Sequence, residues 1–377
     1  MRFWKNKKNL FIFLIMFISI IALLNIFKFL DIRHRQKYIN DLNFEKESVQ
    51  EYSPVIILDL AIYEDLDDKE LFQDEIEELS KKRDLIRNWF ATFVDMHAYR
   101  RDIVKRLPYE IRRNEIVMQY IDIDDFEAGR IAVLESDKEA LRRETIVKRY
   151  LLENNIIPLS SPYELNMQNF IYRLLSYPLS LIWIIMVILS CIDIVTEDFD
   201  SGTYKQIYSQ NYTRGQVYFI KWISGVLNSA IMWFGLMLFV GIYFAFKGSL
   251  GNFNYPVYTA FKGILPYKTY LLLQVPFILI SWLTIVAMIN LVGFLIKELL
   301  NVFIFMFALL LSDFILRDFV VVTSIVWKIS PLNILGLNEF INIIDSFKQF
   351  SIFSGIQSIW LIFIYISGYK KLKTMDL

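Results

Sequence analysis

Residues 10–30 read LFIFLIMFISIIALLNIFKFL, an apolar run broken by one charge, Lys28, and preceded by Arg2, Lys5, Lys7 and Lys8. A helix crosses the hydrocarbon layer of a bilayer in roughly 20 apolar residues. A cleaved secretory leader has a shorter apolar stretch and a small-x-small cleavage site, and Asn25-Ile26-Phe27-Lys28 offers none. The run therefore reads as a retained signal-anchor helix. Further apolar runs at 170–194, 222–246, 270–296, 299–322 and 350–369 bring the expected number of spans to six. Pro276 falls in the fourth, where neighbouring helices can satisfy the backbone groups a kink frees. The expected fold class is an all-α polytopic membrane protein.

Composition agrees. Hydrophobic residues make up 55% of the 377, with 32 Phe, 21 Tyr and 8 Trp, an excess that excludes an ordinary soluble enzyme. Forty Lys+Arg balance forty Asp+Glu, yet the balance hides a partition. Residues 31–169 hold 21 basic and 30 acidic side chains, a net of −9, and the rest of the chain carries the opposite net of +9. The single cysteine, Cys191, excludes a disulfide framework and multi-cysteine metal sites, and reads as a small apolar residue on a membrane helix. With only His34 and His97, a histidine-rich metal site or a histidine triad within the spans is excluded. The charge pattern is not that of a nucleic-acid binder.

Orientation follows from Lys and Arg in short loops, while large domains cross regardless of charge. With the N-terminus inside, the inner segments hold eleven: Arg2, Lys5, Lys7, Lys8, Lys205, Arg214, Lys221, Lys297, Lys370, Lys371 and Lys373. The outer loops hold six: Lys247, Lys262, Lys268, Arg317, Lys328 and Lys348. Both termini are expected in the cytosol and residues 31–169 outside. Trp222, Trp327 and Trp360 fall near the expected interfaces. The organisation expected is then 1–30, N-terminus and first span; 31–169, an acidic extracellular domain; and 170–377, five spans with a cytosolic loop at 195–221.

An insert of this length exceeds any ordinary helix connection and must fold by itself. Phe72, Ile76, Leu79, Arg83, Ile86, Phe90, Phe93 and His97 recur at alternating steps of four and three, the seam of a long packed helix. Pro108 is expected to end that region, with helices following at 110–120 and 130–153, the latter carrying Ile131, Leu134, Leu141 and Leu152 on one side. Strand-like alternation is confined to 54–60. The expectation is a mainly helical, antiparallel, coiled-coil-like domain. Acidic runs at Glu64-Asp65 with Asp67-Asp68 and at Asp122–Asp125 lack the glycine and terminal glutamate of a calcium loop and read as solvated surface. The domain's acidity would steer a cationic ligand.

Between the second and third runs the chain reads Asp193-Ile194-Val195-Thr196-Glu197-Asp198-Phe199-Asp200-Ser201-Gly202-Thr203-Tyr204-Lys205-Gln206-Ile207-Tyr208, then Ser209-Gln210-Asn211-Tyr212-Thr213-Arg214, with Lys221 seven residues on. It divides into an acidic start, a Gly-Thr break, an amphipathic turn and a basic re-entry. Each part suits an ordinary interfacial loop, through the helix dipole and lipid headgroups.

That spacing resembles the permease subunits of ABC-2-type ABC transporters, in which the stretch between the second and third spans is the coupling helix that docks on the ATPase. The matching residues are Glu197, Asp198, Gly202, Thr203, Arg214 and Lys221, with Tyr204 in the same expected coupling loop; Asn211 stands where the family commonly has proline. The resemblance implies a non-catalytic subunit of an exporter in a plasma membrane, with no cofactor of its own, and the Ile-, Lys- and Asn-rich composition suggests a bacterial one. ATP and Mg would sit on a separate ABC ATP-binding subunit, since none of the thirteen glycines is followed by the lysine of a phosphate-binding loop. A second permease subunit, identical or related, and membrane lipids complete the expected partners. The substrate stays open between a peptide and a lipid-like molecule. Asp313 and Arg317 in the fifth span have two readings, an i,i+4 structural pair or part of a substrate path; Asn333 and Glu339 would shape the outer mouth. The other class of function is an ATP-independent, membrane-anchored binding or sensing protein. An intramembrane protease fits poorly, since H-E-x-x-H is missing from the sequence and neither histidine lies within a span.

Overall fold

The computed structural model describes residues 7–66, 69–176, 179–208, 212–260, 262–319 and 347–374. The chain is helical almost throughout. In order it forms α1 (Lys7–Glu64), a 3-10 turn (Lys69–Phe72), α2 (Gln73–Ala98), α3 (Ile103–Ile121), α4 (Asp125–Ile131), α5 (Lys138–Glu153), α6 (Met167–Leu174), α7 (Ser180–Asp200), α8 (Tyr204–Tyr208), α9 (Arg214–Phe246), α10 (Tyr267–Ile296), α11 (Leu299–Phe319) and α12 (Phe347–Thr374). Strands β1 (Pro256–Thr259) and β2 (Gly263–Pro266) pair between α9 and α10. Two compact units emerge: residues 1–25, 165–253 and 259–377, and residues 26–164 with 254–258.

In the first unit, five helices among the described residues are long and apolar enough to cross a membrane: the start of α1, and α7, α9, α10 and α12. The chain is therefore a multi-pass membrane protein in kind. The remaining expected span, 299–322, coincides with α11, apolar over Leu299–Ser312; residues 320–322 lie outside the described residues, as do Trp327, Asn333 and Glu339. α10 packs on α12, α7, α11 and α9. Two glycines make that packing close: a Cβ on Gly293 would stand 2.6 Å from Val195 Cγ1, and one on Gly225 2.9 Å from Val286 Cγ1. Cys191 is buried at the second crossing, its Sγ donating to the Gly225 carbonyl at 3.2 Å. Asn228 Nδ2 donates to Ser190 O at 2.5 Å, tying α9 to α7. Such small-residue contacts and interhelical hydrogen bonds hold helices together where water is excluded and burial offers no driving force.

Several boundaries differ from expectation, three of them around the second and third spans. Residues 170–174 belong to α6, and the membrane helix starts only at Ser180. At its other end α7 continues past Ile194 to Asp200, because Glu197, Asp198 and Asp200 are tolerable on a helix once it has left apolar surroundings. α9 begins at Arg214, where Thr213 and Gln216 form a reciprocal capping box. The 195–221 loop thus shrinks to 201–213.

The second unit is a helical assembly of the later part of α1 with α2 to α5. Its core joins Leu42, Val49 and Ile56 of α1 to Ile86, Trp89 and Phe93 of α2, and to Val117, Tyr120, Ile131 and Leu141 beyond. The strand expected at 54–60 is helix. Buried positions 42, 45, 49, 56 and 60 step by three, four and seven, the rhythm of a helix face, and Pro54 stands inside that helix. The α2 seam is also shifted. Lys82, Ile86, Trp89, Thr92, Phe93 and Met96 are its buried residues, whereas His97 is exposed and Arg83 lies at the margin. Trp89 and Met96 outcompete the aligned Phe90 and His97 for the interior. Pro108 lies inside α3, not at a helix end. The 130–153 region breaks at 132–137, where Asp137 caps α5 by accepting from Glu139 N and Ala140 N; Leu151 is buried in place of Leu152.

Candidate functional site

The corner between α7 and α9 collects most of the residues singled out in the sequence. α7 ends because Ser201 Oγ turns back to donate to the Glu197 carbonyl at 2.7 Å, and because Gly202 adopts φ +72°, a left-handed geometry that L side chains resist. Thr203, hydroxyl to hydroxyl with Ser201 at 2.8 Å, opens α8; its carbonyl accepts from Gln206 N and Ile207 N. In α8, Tyr204 and Ile207 are half-buried while Lys205 and Gln206 are exposed, so this short helix lies on the bundle by one side and offers the other outward. Tyr204 packs on Phe199 with ring centroids 5.5 Å apart.

The two acidic residues play different parts. Glu197 stands exposed at the end of α7. Asp198 pairs with Lys221 of α9, whose buried Nζ also donates to the Ile194 carbonyl at 2.6 Å. Arg214 reaches the end of α12, donating from Nη1 to Lys373 O at 2.7 Å and Leu372 O at 3.4 Å. Asn211 lies outside the described residues. Asp313 and Arg317 sit on α11, with side chains outside the described residues.

Sequence reasoning missed what anchors this corner. Val195, Tyr218, Phe294 and Leu372 form a buried cluster with Phe199 and Tyr365 against it. Phe199 meets Phe294 edge-on at 6.0 Å, and Lys297, which ends α10 at φ +67°, lies 5.7 Å from the Phe199 ring centroid. Lys297-Glu298 is therefore part of the same corner as well as a turn. Aromatics spread over four helices leave no local signal. α8 thus rests on α7 through Tyr204 and Phe199, and α7 is joined to α9, α10 and α12 by packed rings and the Asp198–Lys221 pair.

The second unit holds a polar cavity of about 500 Å³ lined by Tyr38, Asp41, Glu110, Arg113, Glu144 and Lys148, among others. Glu110 accepts from Tyr38 Oη at 2.8 Å and Arg106 Nε at 2.6 Å, and pairs with Lys148 at 2.8 Å. Burial alone would raise the Glu110 carboxyl, but Lys148 and Arg106, with hydrogen bonds from Lys148 and Tyr38, hold it down to about 2. Burial likewise opposes the Lys148 charge, and the Glu110 and Glu144 carboxylates overcome it and raise its pKa. The cavity groups are mostly satisfied by one another. Asp124 caps α4 and binds Lys82 at 2.9 Å, so part of the 122–125 acidic run is structural.

No protein-family model, curated protein or solved structure matches this chain.

Proposed function

We infer that the chain is the membrane-spanning permease subunit of an ATP-driven, ABC-2-like exporter, with hydrolysis on a separate ATPase and a second permease subunit completing the pathway. In this reading the chain has six spans, both termini are cytosolic, residues 31–169 lie outside the plasma membrane, and 201–213 faces a motor. The observation that carries it is the α7–α8–α9 corner: an exposed acidic helix end and a short surface helix, both anchored in four helices. Such a corner can take a displacement as a rigid body and turn it into rocking of the spans, a hinge-type transition.

The structure refines the test. Asp198 is committed to Lys221, so its reversal would mix folding with docking; Glu197 and Lys205 are exposed and separate the two. Full-length E197K/K205E should insert normally and lose export. A photo-crosslinker at Thr203 should capture a polypeptide bearing the G-x-x-x-x-G-K-[ST] phosphate loop. Export at the wild-type rate by E197K/K205E, or labelling of Thr203 from the outer side of intact cells, would refute the reading. The polar cavity of the second unit favours an alternative, an ATP-independent binding or sensing protein; activity in cells lacking any partner ATPase would select it.

A further inference from the structure

The first unit contains an apolar cavity of about 240 Å³ walled by α6, the residue that caps it, α7, α9 and α10. Three tryptophans line it, Trp183, Trp233 and Trp282, with Leu174, Val187 and Ile278 among the aliphatic walls. An apolar cavity of about 150 Å³ inside a protein stays dry and takes up a benzene-sized guest. This one is larger, yet smaller than the roughly 300 Å³ at which pockets begin to hold drug-sized molecules. Its capacity is that of a single chain or ring. Among the described residues no charged side chain lines it, so a cation brought between the indoles would lose its hydration without a counter-charge, which decides against an aromatic cage for ammonium groups.

The polar groups narrow the choice. Trp282 Nε1 donates to Ser229 Oγ at 2.7 Å, within the protein. Trp183 is 3% exposed and its Nε1 finds no acceptor among the described residues. Buried indole N–H groups ordinarily have a partner. An occupant with an oxygen acceptor near its apolar part would supply one.

We propose that this cavity is a binding site for an acyl chain, with the ester, carboxyl or hydroxyl oxygen of the ligand accepting from the Trp183 indole. The site is independent of the coupling corner and of any ATPase. The chain could belong to a bilayer lipid or to a separate lipid-like molecule, and both share this chemistry.

The test uses the full-length protein in nanodiscs and a palmitic acid bearing a diazirine a few carbons from its carboxyl, the part that lies in the cavity when the carboxyl meets Trp183. Photolabelling mapped by mass spectrometry should saturate, fall on peptides containing Trp233, Met237 or Ile278, and be displaced by unlabelled palmitate. V187W, which fills the cavity, should reduce this labelling about tenfold, while diffuse labelling of the exposed Leu238 face stays unchanged. If V187W fails to insert, I278F carries the same comparison, and saturation in the wild type decides by itself. W183F should weaken the palmitate probe and leave an alkyl diazirine without oxygen unaffected; equal behaviour of the two probes would overturn the acceptor assignment. A phospholipid that persists through detergent exchange, near one per chain, identifies a bilayer source. A cavity emptied by exchange and refilled by palmitate identifies a separate molecule. Labelling that does not saturate, or that is the same in V187W and I278F as in the wild type, would overturn the proposal.

Discussion

Glu45 offers the sharpest test of the packing in the second unit. Its side chain is fully buried, Arg113 is 2% exposed, and the two form a bidentate pair through Nε at 2.8 Å and Nη2 at 2.7 Å. Glu45 also accepts from Trp89 Nε1 at 3.2 Å, Val133 N at 2.9 Å and Leu134 N at 2.8 Å. One carboxylate therefore joins α1 to α2, α3 and the segment after α4. E45Q keeps the volume and one acceptor oxygen but turns an amide N–H₂ toward the guanidinium donors and strips a buried cation of its counter-charge. Breaking a buried pair from one side costs roughly 3–5 kcal/mol, a fall of about 10–20 °C in melting temperature for a unit of this size. Adding R113M removes the stranded charge while the glutamine oxygen still serves Val133 and Leu134, so E45Q/R113M should melt well above E45Q. The assay is thermal unfolding of the full-length protein by tryptophan fluorescence, with hydrogen exchange over 130–136 as the local readout. The reasoning is refuted if E45Q melts within about 2 °C of wild type, or if the double variant is no more stable than the single.

Acid should weaken the second unit through Glu110. Its folded pKa is depressed from 4.5 to about 2, so its stabilisation is full above the ordinary value and is lost as pH falls from about 4.5 toward 2. In E110Q melting temperature should be lower near neutrality and flatter across that window. At the corner, nothing lies within 4 Å of a Cβ on Gly202, so G202A pays only for the left-handed backbone, about 1–2 kcal/mol, and G202N should be milder; chemical denaturation of the two variants checks this order. In the bundle, G293A drives a methyl into Val195 and should cost about 1–3 kcal/mol, with much of it restored in G293A/V195A. Equal stability of the single and double variants would show that this contact is not tight.

The sequence alone determined the membrane character, because a run such as 10–30 has no other low-energy surroundings, and it showed that the acidic insert is mainly helical, because steps of three and four run through 72–97. The Gly202-Thr203 break and the basic re-entry at Arg214 were legible for the same local reason: left-handed backbone and helix caps are set within a few residues. Other features were not local. That Trp89 is fully buried while Phe90 is only partly so depends on Tyr120 of α3 and Glu45 of α1, which meet the Trp89 ring and its N–H. That Asp198 is held by Lys221 while Glu197 is left outside depends on how closely α7 and α9 approach, and Cys191 of α7 meets Gly225 of α9 at that approach. Residues 54–60 look strand-like as a string, but the interior that Ile56 and Leu60 enter is built by α2 and its neighbours. The ring cluster of Phe199, Tyr218, Phe294 and Tyr365, drawn from four helices, exists only once those helices pack, since contacts between distant residues are chosen by shape and volume rather than by any pattern along the chain.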